Sequence, residues 1–216
     1  MDIRQRTLFS ASLGFFRVVL DTTIVNVALP AIGEDLDADL SELQWVVDAY
    51  VVVFAGLLLS SGALSDRIGA DRCYSLGMAA FAVASLACAA APSLEVLLAA
   101  RVVQGVAAAL LLPSSLSLIR QAYPDAGERA HAIGIWAAIG GGALAAGPVL
   151  GGVLTDGLDW RAIFVINLPF AIAAVLLTAG APRVPRRPDH LDVPGQIAAI
   201  IAVVALTFAV IEGGHE

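Results

Sequence analysis

Seven stretches of this sequence stay apolar for about 20 residues at a time, the length an α-helix needs to cross the hydrocarbon core of a bilayer. They run roughly over 8–30, 44–64, 74–91, 95–119, 131–154, 162–181 and 193–212. Inside hydrocarbon the backbone must satisfy its own hydrogen bonds, so a spanning segment is a helix or a strand of a closed barrel. None of the seven alternates apolar and polar residues with a period of two, which argues against the barrel. The sequence therefore predicts an all-α integral membrane protein. Composition agrees: 59% of the 216 residues are hydrophobic and 14% charged, where soluble domains carry about 25% charged residues.

Arginines orient the spans, because all twelve basic residues are arginines. Arg4 and Arg6 precede the first span, Arg67 and Arg72 separate the second and third, and Arg120 and Arg129 separate the fourth and fifth. Arg183, Arg186 and Arg187 separate the sixth and seventh. The alternate loops hold only Arg161, beside Glu34, Asp35, Asp37, Asp39, Glu42, Glu95, Asp156 and Asp159. By the positive-inside rule the N-terminus is cytoplasmic and the seventh span ends outside. The expected location is the cytoplasmic membrane, crossed many times. No cleaved signal is expected, since the first apolar run is longer than a signal core and no A-x-A site follows it.

The segment APRVPRRPDHLDVPG, 181–195, has four prolines and three arginines and reads as a cytoplasmic connector. Three units follow: a six-helix lobe over 1–181, a linker over 182–192, and a seventh spanning helix with the start of an outer loop over 193–216. Six helices suit two inverted groups of three, as in many transporters.

Other function classes find little support. The net charge is −7 and no basic stripe exists, so nucleic acid is not an expected partner. His131, His190 and His215 lie in loops or at helix ends without a paired nucleophile or metal-ligand spacing, so neither an enzyme nor a metal site is expected. A retinal Schiff base needs a lysine, and there is none. Cys73 and Cys88 are too far apart along one helix for a disulfide and read as packing residues.

Three charges sit where charge is expensive: Arg17, Asp21 and Arg101. An aspartate at mid-membrane costs roughly 2.5–3.5 kcal/mol on insertion scales, and such residues usually mark ion or substrate pathways. At about 1.5 Å of rise per residue, Asp21 is roughly 20 Å from the cytoplasmic end of its span and Arg101 roughly 9 Å below the outer surface. In a core of about 30 Å those depths nearly coincide. Arg17 is the rival partner, one helical turn from Asp21 on the same face. The residues leave both pairings open. Asp48 is shallower and equally suited to solvation at the outer interface. Arg101, Gln104, Gly105 and Ala108 share one face of the fourth helix, which Pro113 should kink. Gly140, Ala143, Gly147 and Gly151 share a face of the fifth, beside Pro148, as tight packing requires.

Six segments in order carry a resemblance. They are LDTTIVNVALP (20–30), LQWVVDAY (43–50), GALSDRIGADR (62–72), RVVQGVAAA (101–109), AAGPVLGG (145–152) and LDWRAIFVINLPF (158–170). Together they resemble the major facilitator superfamily, specifically the N-terminal half of its fourteen-helix drug:proton antiporters. The resemblance implies proton-coupled efflux of small amphiphilic drugs or antibiotics by alternating access, with no cofactor beyond the proton gradient. It implies that Asp21, Arg101, Asn26 and Gln104 serve proton coupling and the substrate cavity. Gly62, Asp66, Arg67 and Gly69 would form a tight cytoplasmic gating turn. Gly147, Pro148, Gly151 and Gly152 would let the fifth helix pack closely and bend. A carboxylate suits such coupling, because burial favours its neutral form and a nearby arginine its charged form.

Two positions depart from the family pattern. Ala70 and Asp71 stand before Arg72 where the loop motif continues with a basic cluster, and Arg17 stands where the family has an apolar residue. The implied partners are a small amphiphilic substrate, protons, the lipid bilayer and a C-terminal lobe supplied in cis or in trans. The alternative is a truncated or partner-dependent membrane protein with no transport of its own.

Overall fold

Three aspartates decide where three of the long helices begin. Asp2, Asp39 and Asp125 have extended backbones, and their side chains accept from the N–H groups of Ile3, Glu42 and Glu128. Gln5 and Glu42 reach back to complete capping boxes with Asp2 and Asp39. Each box satisfies donors that a first helical turn leaves without partners. A computed structural model describes residues 2–178 and, beyond them, 194, 195, 197, 198, 201, 202 and 205. Its helices are α1 (Ile3–Leu36), α2 (Leu40–Ile68), α3 (Ala70–Ala89), α4 (Leu94–Ala122), α5 (Ala126–Gly157), α6 (Ala162–Val165) and α7 (Asn167–Thr178).

The first five are long and apolar enough to cross a membrane, and the first five expected spans fall on them. The sixth expected span, 162–181, falls on a shorter apolar helical run over Ala162–Leu177, in which α6 and α7 are separated only at Ile166, itself in helical conformation. Pro169 is the physical cause: its ring collides with the carbonyl four residues back and it has no N–H to give. That carbonyl belongs to Val165, where α6 stops. The expected linker over 182–192 lies outside the described residues, as does most of the seventh span over 193–212.

The exterior is oily and the interior carries charge, the inverse of a water-soluble protein. Leu59, Leu76, Leu144, Val149 and Val153 are exposed, whereas Arg17, Asp21, Arg101 and Gln104 have no accessible surface. One apolar cluster, with Leu20, Ile24, Val46, Leu97, Trp160 and Phe164, fills the end of the bundle nearest the α1–α2 and α3–α4 turns. Two others, around Tyr50, Tyr74, Phe81 and Leu111 and around Leu8, Ile119 and Trp136, continue towards the opposite end. Each long helix passes through more than one cluster, so the described lobe packs as one unit.

Helix α1 lies between α5 and α4 and meets them by different means. Against α5 the contact is made of small residues. A Cβ at Gly140 would run into the Phe15 ring, one at Gly147 into the Thr23 hydroxyl, and one at Gly151 would come 3.0 Å from the Ile24 carbonyl. The expected face of Gly140, Ala143, Gly147 and Gly151 is therefore the buried seam of α5. Gly152 was grouped with it and stands apart, facing open space. It follows Gly151 by one residue, about 100° around the helix. Pro148 is likewise exposed, and α5 continues through it; α4 in turn continues through Pro113.

A single residue, Gly69, joins α2 to α3 with φ 99° and ψ 134°. A side chain there would be strained, so glycine is required by backbone conformation. Asp66 and Arg67 occupy the exposed last turn of α2. Gly62 is not part of this turn: it lies inside α2, where an added Cβ would meet Pro113 at an ordinary 3.9 Å.

Candidate functional site

The side of α1 that faces away from the glycine seam carries Asp21 to α4. Four residues are needed to hold that carboxylate in a site with no water-accessible surface. Arg101 Nη1 donates to Asp21 Oδ2 in a direct ion pair with both side chains fully buried. Gln104, one turn along α4, donates from Nε2 to Asp21 Oδ1 at 3.3 Å. Asn167, the first residue of α7, donates from Nδ2 to the same oxygen at 3.3 Å. Ser85 completes the set at one remove, accepting from Gln104 Nε2 at 2.9 Å.

Arg101 is held through Nε and Nη1, while its Nη2 has no hydrogen-bond partner among the described residues. Its Nε donates to the Val46 carbonyl at 2.8 Å and its Nη1 also donates to Gln104 Oε1 at 2.8 Å. Its guanidinium lies 4.4 Å from the Tyr50 ring centre and 6.0 Å from that of Phe164, a cation–π setting that strengthens as water is excluded. Tyr50 is pinned in turn by donating to the Val18 carbonyl at 3.2 Å. Cys88, expected only to pack, also donates to Gln104 Oε1 at 3.3 Å. Both cysteines are free and buried.

Of the two candidate partners for Asp21, the ion pair goes to Arg101. Arg17 is equally buried, but its guanidinium stacks over Phe81 at 4.1 Å and its Nη1 donates to the Asn167 backbone carbonyl at 3.5 Å. Its Nε and Nη2 have no hydrogen-bond partner among the described residues. The estimated depths of Asp21 and Arg101 correctly brought the two together, but as a sealed contact and not across a cavity.

The remaining expected residues do not converge here. Asn26 is exposed and donates to the Thr22 carbonyl at 2.8 Å, outside the charge network. It is five residues from Asp21, about 140° away around the helix, so the two side chains leave α1 in different directions. Asp48 is half-buried and also apart. A cavity of about 470 Å³ lined by Arg4, Phe9, Tyr123, Glu128 and His131 opens near the N-terminus and does not reach Asp21. Asn167 and Ser85 are the residues that sequence reasoning passed over. The signal for Asn167 was its position: an amide five residues into an apolar run, at the outer depth already assigned to Arg101.

The carboxylate's immediate neighbours comprise one fixed cation and two neutral amides. Breaking such a pair from one side is costly, about 3–5 kcal/mol, since it leaves a bare buried charge.

Known proteins share both the sequence and the fold. Residues 11–211 match the family model of the Major Facilitator Superfamily. The chain is 45% identical over 201 residues to a methylenomycin A resistance protein of Streptomyces coelicolor, covering 93% of this chain and 42% of that protein. It is 43% identical over 209 residues to the multidrug resistance protein Stp of Mycobacterium tuberculosis, covering 96% and 39%. The chain thus spans about two-fifths of the length of these curated relatives. Among solved structures, a peptide transporter bound to sulfate superimposes with a TM-score of 0.74 at 18% identity, over 98% of this chain and 49% of that one. An inward-facing bacterial homologue of the lysosomal transporter Spinster superimposes with a TM-score of 0.65 at 22% identity, over 90% and 47%. A multi-pass helical lobe, motifs in family order and these matches lead to one conclusion: the chain belongs to the Major Facilitator Superfamily, a family of membrane transporters, and is not an enzyme.

Proposed function

We propose that this chain is the N-terminal lobe of a proton-coupled exporter of small amphiphilic drugs or antibiotics across the cytoplasmic membrane. The observation that carries the reading is the burial of Asp21 in a network of one arginine and two amides. Ionisable groups in that setting mark ion pathways. In the proposed cycle Asp21 binds a proton from outside as substrate leaves, and releases it inside when Arg101 reclaims the carboxylate.

The names of the relatives support export of drugs: resistance to methylenomycin A in Streptomyces and Bacillus, multidrug resistance, and a drug efflux pump. Their length supports a second lobe, in cis or in trans, that closes the substrate cavity against this one. Asn26, on the exposed side of α1, contributes to that cavity. Asp66 and Arg67 are exposed beside Gly69 and have no ion pair with one another or with other described residues; they gate the movement by meeting the second lobe. The arginine distribution supports a cytoplasmic N-terminus. One observation, the two-fifths length, favours a second reading in which the chain by itself folds and moves nothing.

The test uses the full gene product in inverted membrane vesicles, driven by a pH gradient and offered fluorescent lipophilic cations and antibiotics. Asp21→Asn is expected to abolish gradient-driven accumulation while substrate exchange without a gradient persists. Undiminished accumulation by that variant would refute the coupling role. Expression of residues 1–216 alone separates the second reading: transport by this piece would exclude it.

A further inference from the structure

One amide of the network around Asp21 carries an acceptor that nothing among the described residues satisfies. Gln104 has a fixed orientation: its Oε1 accepts from Arg101 Nη1 at 2.8 Å and from Cys88, and its Nε2 donates to Ser85 at 2.9 Å. Asn167 is as buried, at 1% exposure, and its Nδ2 donates to Asp21 Oδ1, yet its Oδ1 has no partner among the described residues. A buried acceptor without a donor is costly, and this one lies on the same amide as the group touching Asp21.

Proton chemistry explains what the spare acceptor is for. An ionised carboxylate only accepts, so the NH₂ end of an amide must face it; a protonated carboxylic acid carries one O–H that must donate. On Asp21 the Oδ2 atom faces the Arg101 cation, which leaves Oδ1 as the oxygen to carry a proton. Oδ1 is met by two amides, Gln104 and Asn167. Gln104 could turn its oxygen to that proton only by giving up Arg101, Cys88 and Ser85. Asn167 can do so by a half-turn about its last side-chain torsion, with its backbone carbonyl still held by Arg17. In the ionised state Oδ1 of Asn167 is the atom without a partner. In the protonated, turned state Nδ2 takes that place. The number of unsatisfied amide atoms is the same in both states.

We propose that Asn167 is the switching partner of Asp21, its amide donating to the ionised carboxylate and turning to accept from the protonated acid. The proposal rests on the reading that Asp21 exchanges protons. It makes Asn167 a positioning residue, and it ties the α6–α7 break to the charge on α1, because Asn167 is the residue at which α7 starts. Around the carboxylate the other titratable or charged groups are Arg17 on α1, Tyr50 on α2, Cys88 on α3 and Arg101 on α4, with Tyr74 of α3 beside Arg17. Those of α5 (Glu128, Arg129, His131 and Asp156) lie in or near its end turns, and α6 and α7 have none. Among these neighbours Asn167 is the one with a free acceptor beside Asp21.

The experiment is infrared difference spectroscopy of the full gene product in lipid discs, acid minus neutral, with isotope-labelled asparagine. Within residues 1–216 the asparagines are Asn26 and Asn167. The expected result is a carboxylic-acid carbonyl band that disappears in Asp21→Asn, accompanied by a shift of the labelled amide carbonyl that disappears in Asn167→Leu. Transport provides the companion readout. Leucine has the branched outline of asparagine without a donor or acceptor, whereas the smaller serine can do both. Asn167→Leu should lose about tenfold or more in gradient-driven efflux, the size of one unmade buried hydrogen bond, and Asn167→Ser should stay within about threefold. A purely structural role reverses that order, because serine leaves a void. An Asp21 band with an unmoved asparagine carbonyl, or leucine outperforming serine, overturns the proposal and leaves the coupling role of Asp21 standing. Absence of any Asp21 band overturns both.

Discussion

Helix α1 has two buried seams that differ in almost every respect. Against α5 it meets Gly140, Gly147 and Gly151, and the contact depends on the absence of side chains. Against α4 it meets Arg101 and Gln104, and the contact depends on charge and hydrogen bonds. The first seam should tolerate changes of charge state and reject added volume. The second should tolerate small changes of volume and reject an unpaired charge. In lipid there is little hydrophobic gain from bringing helices together, so a lobe needs seams of the first kind to be held closed. Seams of the second kind cost stability and are placed where a charge has work to do.

Substitutions can break this contrast. The largest effect belongs to the charged seam: Arg101→Leu takes the ion-pair partner from Asp21 in the interior and should cost about 3–5 kcal/mol, read as loss of folded protein in detergent thermal denaturation. Asp21→Leu combined with Arg101→Leu should recover most of that stability while transport stays absent, since apolar replacement of a whole buried pair is often neutral or stabilising. If the double variant were as unstable as the single one, the pair would be structural. Next comes the small-residue seam. Gly147→Ala forces a methyl group into Thr23 and should cost about 1–3 kcal/mol, whereas Gly152→Ala, facing open space, should stay within about 0.5 kcal/mol. Equal effects at the two positions would contradict the assignment of the seam. Gly69→Ala should cost about 1–3 kcal/mol through backbone strain alone, measured the same way, with no dependence on pH.

The smallest effect sharpens the comparison from outside the membrane. Asp125 caps α5 at the surface, and the N–H of Glu128 holds its carboxyl below the usual carboxylate range. A carboxyl lowered in the folded state adds stability at neutral pH and loses it as pH falls through the folded value. Asp125→Ala should therefore lower the melting temperature slightly at pH 7, with the difference vanishing on strong acidification. A difference that persisted in acid would assign it to packing.

Much of this was legible in the sequence because hydrocarbon imposes simple demands. Span length is set by bilayer thickness, and five of the spans follow from counting apolar residues. The depths of Asp21 and Arg101 follow from rise per residue, which brought them to one level without naming either arginine as the partner. The glycine seam followed from spacing on one face. Legibility failed where the outcome depended on direction or on a neutral group. Asn26 shares a motif with Asp21, but five residues of helix turn it away. Gly62 and Gly152 share motifs with the turn residue Gly69 and the buried Gly147 and Gly151, and motif membership does not specify which side of a helix is buried. The break before Asn167 was written in Pro169, whose effect falls four residues upstream at Val165 and is easily lost in an apolar run. Asn167 itself carries no charge, so the cost argument that singled out Asp21 passed over it.

The measurement that tests the account most directly is proton release on substrate binding. The full gene product in weakly buffered detergent solution, with a pH indicator dye, is mixed with an antibiotic that it binds. Wild type is expected to release protons as the antibiotic binds, and Asp21→Asn to bind the same antibiotic without releasing any. Equal release from both would show that the proton resides elsewhere, and Asp21 would then be a structural counter-ion to Arg101.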